Sequence, residues 1–309
     1  MPKVSVLISI YRPDERVLVE QLETIDNQDF DDFEVVVYND CPEDQSWEGF
    51  CREHCTKHPL RYEQGTQNLG YKKAFEHLVA IAEGEYLALA DQDDRWLPGR
   101  ISRGVEVLDE GFLLVSCDRQ IIDGDGNLVD ESWRTSHPGD AASNWNTGDH
   151  ITPKAAFTCY SLGMATMMRT DTARALIPFP TCCGHDKWLT LGASAMGPIA
   201  SIDVPLVQYR RHGANKTGTL HAVDCKDDWY RTRTQDSHEL VCDFVGRFPD
   251  CPDGPAMLAF AEARLHGDVR GIWQHRELAP TVARFEIVLH YMPEWMFKCL
   301  LAVMRLRGD

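Results

Sequence analysis

Residues 85–98 read Glu85-Tyr86-Leu87-Ala88-Leu89-Ala90-Asp91-Gln92-Asp93-Asp94-Arg95-Trp96-Leu97-Pro98. The segment opens as a short apolar run, the pattern of a strand buried on both faces. Three carboxylates within four residues follow it directly. They repel one another and lower stability unless a cation screens them. Hard oxygen ligands of this kind suit Mg2+ or Mn2+. A solvated acidic turn is the other reading that composition allows.

Working outward toward the N-terminus, Lys3 to Ile10 is rich in β-branched and apolar residues and stops at Tyr11-Arg12-Pro13, a strand followed by a turn. From Asp14 to Gln28, Val17, Leu18, Leu22 and Ile25 recur at helical spacing. Phe33 to Tyr38 is a second apolar run, ended by Asn39-Asp40-Cys41-Pro42, and Leu60 to Glu63 is a weaker strand. A helix is predicted over Tyr71 to Ala82, after the turn Asn68-Leu69-Gly70. Strands alternating with helices predict an α/β domain, a parallel sheet covered on both faces. Ligands bind beyond the carboxyl ends of such strands. Ser9 and Tyr11, Asp40, and the group Asp91–Asp94 are therefore expected to converge.

Beyond a strand-like run at Phe112–Cys117, residues 123–150 are dense in Gly, Asp, Asn, Ser and Trp with little periodicity. An irregular stretch of that length inside a compact domain is either functional or disordered. Its aromatic residues Trp133, His137 and Trp145 suit ligand stacking or core capping equally well. Apolar runs resume at Phe157–Met168 and Ile199–Tyr209. After about residue 220 the pattern is helical, with candidates at Asp227–Phe248, Pro255–His266 and Ala279–Leu306. The expected organisation is an α/β domain over 1–218 and a helical extension over 219–309.

Composition narrows the partners. The chain has 309 residues with 48 acids and 31 bases, a net charge of −17, and this field repels nucleic-acid backbones. Residues 1–100 hold 21 acids against 10 bases, −11 of the total, so the acidity is concentrated where the carboxylate cluster lies. The opening Met1–Ile8 does not read as a signal peptide, and no apolar run reaches the roughly 18 residues of a membrane span. Eleven cysteines in that context read as reduced thiols, and a cytoplasmic protein is expected. Cys51, His54, Cys55 and His58 have ligand-like spacing without a matching second pair, which favours an exposed polar helix over a zinc site. Gly65 to Gly70 has the spacing of a phosphate-binding loop, but Tyr71 stands where its lysine belongs. One residue turns a helix by about 100°. Tyr11-Arg12-Pro13-Asp14 lacks the glycines of a dinucleotide fold.

Asp91-Gln92-Asp93-Asp94-Arg95-Trp96-Leu97-Pro98 after an apolar strand resembles the signature of the family 2 inverting glycosyltransferases, which have the GT-A fold. Val4 to Tyr11 is similar to that family's first strand, Val35 to Asp40 to its second acidic site, and Asn68-Leu69-Gly70 to its Asn-x-Gly turn. The resemblance covers roughly residues 3–215. It departs at Asn39, where a second Asp is common, and at Cys41-Pro42, where Gly-Ser is common, both at the base pocket that the resemblance implies.

The resemblance implies a GT-A mixed sheet flanked by helices and an enzyme that takes a nucleotide-diphospho-sugar. Ser9, Tyr11 and Asp40 would hold base and ribose, with Asn68 and Lys72 among the donor contacts. Asp93 would be the main metal ligand, for Mg2+ or Mn2+, with Asp91 and Asp94 beside it on ribose, sugar or metal-bound water. Gly184-His185-Asp186 resembles the family's catalytic motif. Direct displacement needs one base to take the acceptor's hydroxyl proton, so Asp186 is the candidate and His185 the fallback. In Gln208-Tyr209-Arg210-Arg211-His212, the two arginines would clamp the diphosphate and His212 would join the metal. A His where processive synthases carry Trp implies transfer of a single sugar.

The full acidic motif and the His-Asp pair resemble bacterial rhamnosyltransferases of that family. This would imply dTDP-β-L-rhamnose as donor and a saccharide or lipid-linked saccharide acceptor in cell-surface polysaccharide synthesis. The alternatives are a UDP-hexose or UDP-N-acetylhexosamine transferase of the same family, or a nucleotide-sugar or carbohydrate-binding module without catalysis. The last helix interleaves Trp295, Met296, Phe297, Leu300 and Leu301 with Lys298, Arg305 and Arg307. Residues 290–309 are thus either a helix lying in the membrane interface, on the inner face of the cell membrane, or an ordinary docking helix.

Overall fold

The computed structural model describes residues 1–140, 143–211 and 223–306. It divides into two compact units, one of Met1–Asp149 with Cys159–His212, the other of His150–Thr158 with the chain from Gly213 on. The expected domain boundary at 218/219 lies outside the described residues. The structure adds His150–Thr158 to the helical unit, a segment with no compositional break to mark it.

The first unit is built on a mixed sheet flanked by helices, as expected. Nine strands are seen among the described residues: β1 Val4–Ile10, β2 Phe33–Asn39, β3 Leu60–Gln64, β4 Tyr86–Ala90, β5 Arg95–Trp96, β6 Leu114–Ile122, β7 Leu128–Asp130, β8 Thr166–Arg169 and β9 Ile199–Arg210. Their order is β3-β2-β1-β4-β8-β6-β9-β5, with β7 paired to β6. β3, β2, β1 and β4 are mutually parallel, and β8 runs antiparallel between β4 and β6. The purely parallel sheet that the alternating N-terminal pattern predicts is thus only one half of the real sheet. β8, four residues long, reverses direction without carrying a distinctive pattern of its own.

Register places the site. Ile10 pairs with Asn39, and Ile8 with Ala90. The carboxyl ends of β1, β2 and β4 therefore lie side by side, and the residues after them leave the sheet at one edge. β6 and β9 are parallel and end together at Ile122 and Arg210. Two antiparallel steps from β4 bring those ends to the same edge.

The helices of this unit are α1 Glu15–Asp26, α2 Trp47–His54, α3 Tyr71–Ile81, α4 Arg100–Asp109, the short α5 Trp133–Ser136, then α7 Thr170–Ala175 and α8 His185–Met196, with α6 Thr152–Ala155 belonging to the other unit. α1 starts where Asp14 accepts the Val17 N–H, and it buries Val17, Leu18, Leu22 and Ile25. α3 starts at Gly70, whose φ of 75° suits glycine. One apolar cluster packed against the sheet includes Val6, Ile8, Val35, Val37, Ala88 and Met167. Each large aliphatic buried there is worth about 1.5–3 kcal/mol. α2 exposes Glu48, Arg52 and Glu53 as a polar surface helix does, and buries its inner face. Cys51 and Cys55 are buried, and burial pushes both thiols up to about 12, so they pack as small apolar groups.

The second unit is helical: α9 Lys226–Trp229 continuing through a π-helical stretch Tyr230–Gln235 into α10 Asp236–Arg247, then α11 Gly254–Leu265, α12 Val269–Gln274, α13 Pro280–Tyr291 and α14 Glu294–Leu306. Its interior is held by Glu286, which accepts from Arg264 Nε at 2.9 Å and Nη2 at 2.8 Å and from Trp229 Nε1 at 3.2 Å. The single helix expected over Ala279–Leu306 breaks at Met292-Pro293. A residue before proline is driven out of the α region, and Met292 sits at φ −76°, ψ 129°.

Candidate active site

The acidic loop after β4 has an unequal electrostatic environment. Asp94 is fully buried. Its Oδ1 accepts the Arg210 backbone N–H at 2.8 Å, while Oδ2 has no hydrogen-bond partner. Burial, then the charges of Asp91 and Asp93, hold its carboxyl well above the usual range. Asp91 is half-buried and is pushed up to about 7, first by burial and then by Asp93 and Asp186. Three full negative charges are thus not stable here at neutral pH without a compensating cation. Among the described residues, no three His, Cys, Asp or Glu side chains form a ready-made metal cluster. An ion that takes one or two carboxylates and completes its shell with water and phosphate needs no such cluster. The orphaned Asp94 oxygen and the raised Asp91 fit that donor chemistry. His212, expected to join the metal, lies outside the described residues.

A polar stripe on α1, continued by Gln28 just beyond the helix end, grips this loop. Gln21 Nε2 donates to the Asp91 carbonyl at 3.0 Å, Thr24 Oγ1 accepts the Trp96 N–H at 3.0 Å, and Gln28 Nε2 donates to the Leu97 carbonyl at 3.1 Å. Glu20 Oε2 accepts from Arg95 Nε at 2.9 Å and Nη2 at 2.7 Å, and also from Arg210 Nη2. These residues were not picked out from the sequence. Positions 20, 21, 24 and 28 follow helical spacing beside the apolar stripe, and that second, polar stripe was the available signal.

Arg210 stands differently from its expected role. It is almost wholly buried, with Nε on the Asp93 carbonyl at 2.8 Å, Nη1 on the Gly124 carbonyl at 3.3 Å and Nη2 on Glu20. Its guanidinium is committed to bracing the loop, so the side chain that would clamp a diphosphate is occupied inside the protein. Arg211 is exposed. Its guanidinium lies 4.6 Å from the Trp133 ring centroid, with Arg119 at 4.8 Å from the same ring and His137 stacked on it at 3.5 Å. Trp145, grouped with Trp133 as a stacking candidate, is buried and donates to the Tyr160 carbonyl at 2.9 Å, so it caps the core.

On the first two strands, Ser9 is half-buried and Tyr11 exposed. The Tyr11 N–H donates to Gln92 Oε1 at 2.8 Å, which ties the end of β1 to the acidic loop. Asp40 is buried and accepts the N–H groups of Leu69 at 2.6 Å and Gly70 at 2.8 Å. It thereby fixes the Asn68-Leu69-Gly70 turn and leaves Asn68 exposed. A carboxylate has about four acceptor sites, so Asp40 keeps capacity for a ligand hydroxyl. Lys72 donates to the Thr181 carbonyl, tethering α3 to the loop before α8.

Asp186 and His185 separate at the start of α8. His185 is buried, stacked on Phe75 at 4.1 Å, and neither ring nitrogen has a partner. A Cβ on Gly163 would lie 2.9 Å from its Nε2, and burial pushes its pKa down. This walled-in, neutral ring is poorly placed for the fallback role of solvent-facing base. Asp186 is half-exposed, with Oδ1 on the Lys187 N–H at 2.8 Å and Oδ2 3.8 Å from Cys159 Sγ. Its charge raises the pKa of both Asp91 and Tyr71, so the fold brings it within electrostatic range of the acidic loop across 95 residues of chain.

This geometry has counterparts among known proteins. The chain is 30% identical over 133 residues to an uncharacterized glycosyltransferase of Methanocaldococcus jannaschii, covering 42% of this chain and 46% of that protein. It is 29% identical over 138 residues to the GalNAc(5)-diNAcBac-PP-undecaprenol beta-1,3-glucosyltransferase of Campylobacter jejuni, covering 42% of each. The chain spans less than half the length of the first curated relatives it matches. Among solved structures, its fold is similar to that of S. aureus TarS 1-349 in complex with UDP-GlcNAc, with a TM-score of 0.64 and 17% identity over 94% of this chain and 89% of that one. The model of Glycosyl transferase family 2 matches residues 5–171, more than half of the chain. With the acidic loop, the Asn-x-Gly turn and the mixed sheet on one edge, this chain belongs to glycosyl transferase family 2.

Proposed function

We propose that the protein is an inverting glycosyltransferase that moves one sugar from a nucleotide-diphospho-sugar to a saccharide or lipid-linked saccharide acceptor, with a UDP-linked hexose or N-acetylhexosamine as donor. The observation that carries this reading is the convergence of the ends of β1, β2 and β4 at one sheet edge, which brings Ser9, Asp40 and Asp91 together, with Asp186 close enough to raise the Asp91 carboxyl. A base and a cation-seeking carboxylate pair then face one reaction space. Support for the UDP-linked donor comes from the relatives: the TarS structure holds UDP-GlcNAc and the Campylobacter enzyme is named a glucosyltransferase. The dTDP-rhamnose expectation draws no such support.

In this reading Ser9, Tyr11, Asp40 and Asn68 line the base and ribose end, and Lys72 holds the neighbouring loop. Asp93, with Asp91 beside it, would hold Mg2+ or Mn2+. Bound there, the ion would neutralise charge developing on the diphosphate. Asp186 takes the proton from the acceptor hydroxyl as that oxygen attacks the anomeric carbon from the face opposite the diphosphate. Asp94 and Arg210 keep the loop in shape. Arg211, the exposed arginine of the pair, is the cation available to an anionic substrate.

The test is a screen of nucleoside diphosphate release from UDP-glucose, UDP-GlcNAc, GDP-mannose and dTDP-rhamnose with Mg2+ or Mn2+, with Asp186→Asn as control. Release from a UDP-sugar that Asp186→Asn abolishes is the expected result. Preference for dTDP-rhamnose would overturn the donor assignment. Nucleotide-sugar binding without turnover under any condition would favour a binding module.

A further inference from the structure

The helical unit leaves an apolar face uncovered. α13 and α14 dock through Leu289, Phe297 and Leu301, which form a buried cluster with Trp229. On the opposite side Tyr291 is 72% exposed, Trp295 67% and Val288 56%, with Met296 and Val303 also outward. A docked helix ordinarily presents a polar outer face, and this one is apolar on both. The helix therefore docks and still exposes an aromatic stripe.

Charge identifies the occupant. Residues 270–307 contain six Arg or Lys against three acids, a net +3, whereas the whole chain carries −17. One of the three acids, Glu286, is buried against Arg264. Lys298 and Arg284 are exposed beside the stripe. Exposed Trp and Tyr flanked by cations in an otherwise acidic protein match the interface of an anionic bilayer, where amphipathic rings sit at headgroup depth. Among the described residues no helix is long and apolar enough to cross a membrane, so the contact is peripheral.

We propose that the outer face of α13 and α14, centred on Tyr291, Trp295 and Lys298, docks reversibly on a membrane surface rich in anionic lipid. The assignment is independent of sugar transfer. It is tested by flotation of the full chain with vesicles of phosphatidylcholine alone and with 30% phosphatidylglycerol, a composition on the order of anionic leaflets. Binding to the anionic vesicles only, weakened about tenfold or more in Trp295→Ser/Met296→Ser and in Lys298→Glu, is the expected result. Thermal unfolding verifies that both variants fold, since neither changes a buried residue. Three results would overturn the proposal: no binding to either vesicle, equal binding by wild type and variants, or wild-type self-association in light scattering that the same substitutions abolish.

Discussion

Glu20 on α1 and Arg210 at the end of β9 form an ion pair across 190 residues of sequence, and Arg95 of β5 completes it. Arg210 also holds the Asp93 carbonyl, and its own N–H holds Asp94. One carboxylate thus positions two arginines, and through them the acidic loop.

Glu20→Gln removes the carboxylate that Arg95 and the buried Arg210 share. Removing one partner of a buried pair costs about 3–5 kcal/mol, reduced here to about 2–4 because Glu20 reaches solvent. Urea unfolding should show that loss. Arg210→Lys should not substitute, since an ammonium cannot span Glu20, Asp93 and Gly124 together.

The raised carboxyls fix the sign of the pH dependence. Asp91 moves from an ordinary value of 3.8 to about 7, and Asp94 moves in the same direction. The folded state therefore binds more protons than the unfolded one between these values. The favourable contribution of Asp91 is complete below about pH 3.8 and is lost as pH rises through about 7. In metal-free buffer, Asp91→Asn should flatten the fall in Tm between pH 5 and 7.5, a range of roughly two and a half pH units chosen to bracket that titration.

Mn2+ should oppose the same effect. An ion that binds only the folded state raises its stability by mass action. Added at neutral pH, Mn2+ should raise the wild-type Tm, and Asp93→Asn should remove most of that rise.

Asp186 and His185 should separate kinetically. Asp186→Asn is expected to lower kcat by about 10²–10⁴-fold with donor affinity retained. His185→Gln should keep turnover within about tenfold while lowering Tm, because the ring is buried and packs on Phe75. Equal losses in both variants would reverse the assignment.

Gly126 has φ 86°, and a Cβ there would lie 2.3 Å from Arg95 Nη2. Gly126→Ala should therefore cost about 1–2 kcal/mol in backbone strain. It should also displace Arg95 from Glu20 and reproduce part of the Glu20→Gln phenotype.

Much of the first hundred residues was legible before any tertiary contact was known. β1, β2 and β4 are continuous apolar runs, α1 repeats its apolar residues at helical spacing, and each element ends in turn residues. The direction of β8 was not legible, because four residues carry too little pattern to reveal their partner. The helix break before Pro293 was open to the rule for residues preceding proline, whereas the joining of His150–Thr158 to the helical unit left no trace in composition.

The sequence by itself determined the acidic loop, the strand that delivers it and the α/β class, because burial alternation and turn chemistry act between near neighbours. Only the tertiary structure decided what each charge does. Arg210 and Arg211 are adjacent and chemically equal in sequence, yet one is locked by Glu20 and the other is exposed over Trp133. His185 and Asp186 are likewise adjacent, and the turn of α8 buries one beside Phe75 while leaving the other in the field of Asp91. A helix turns about 100° per residue, and strand residues alternate faces. Neighbours in the chain therefore enter different dielectric surroundings, and that difference sets which of them can meet a substrate.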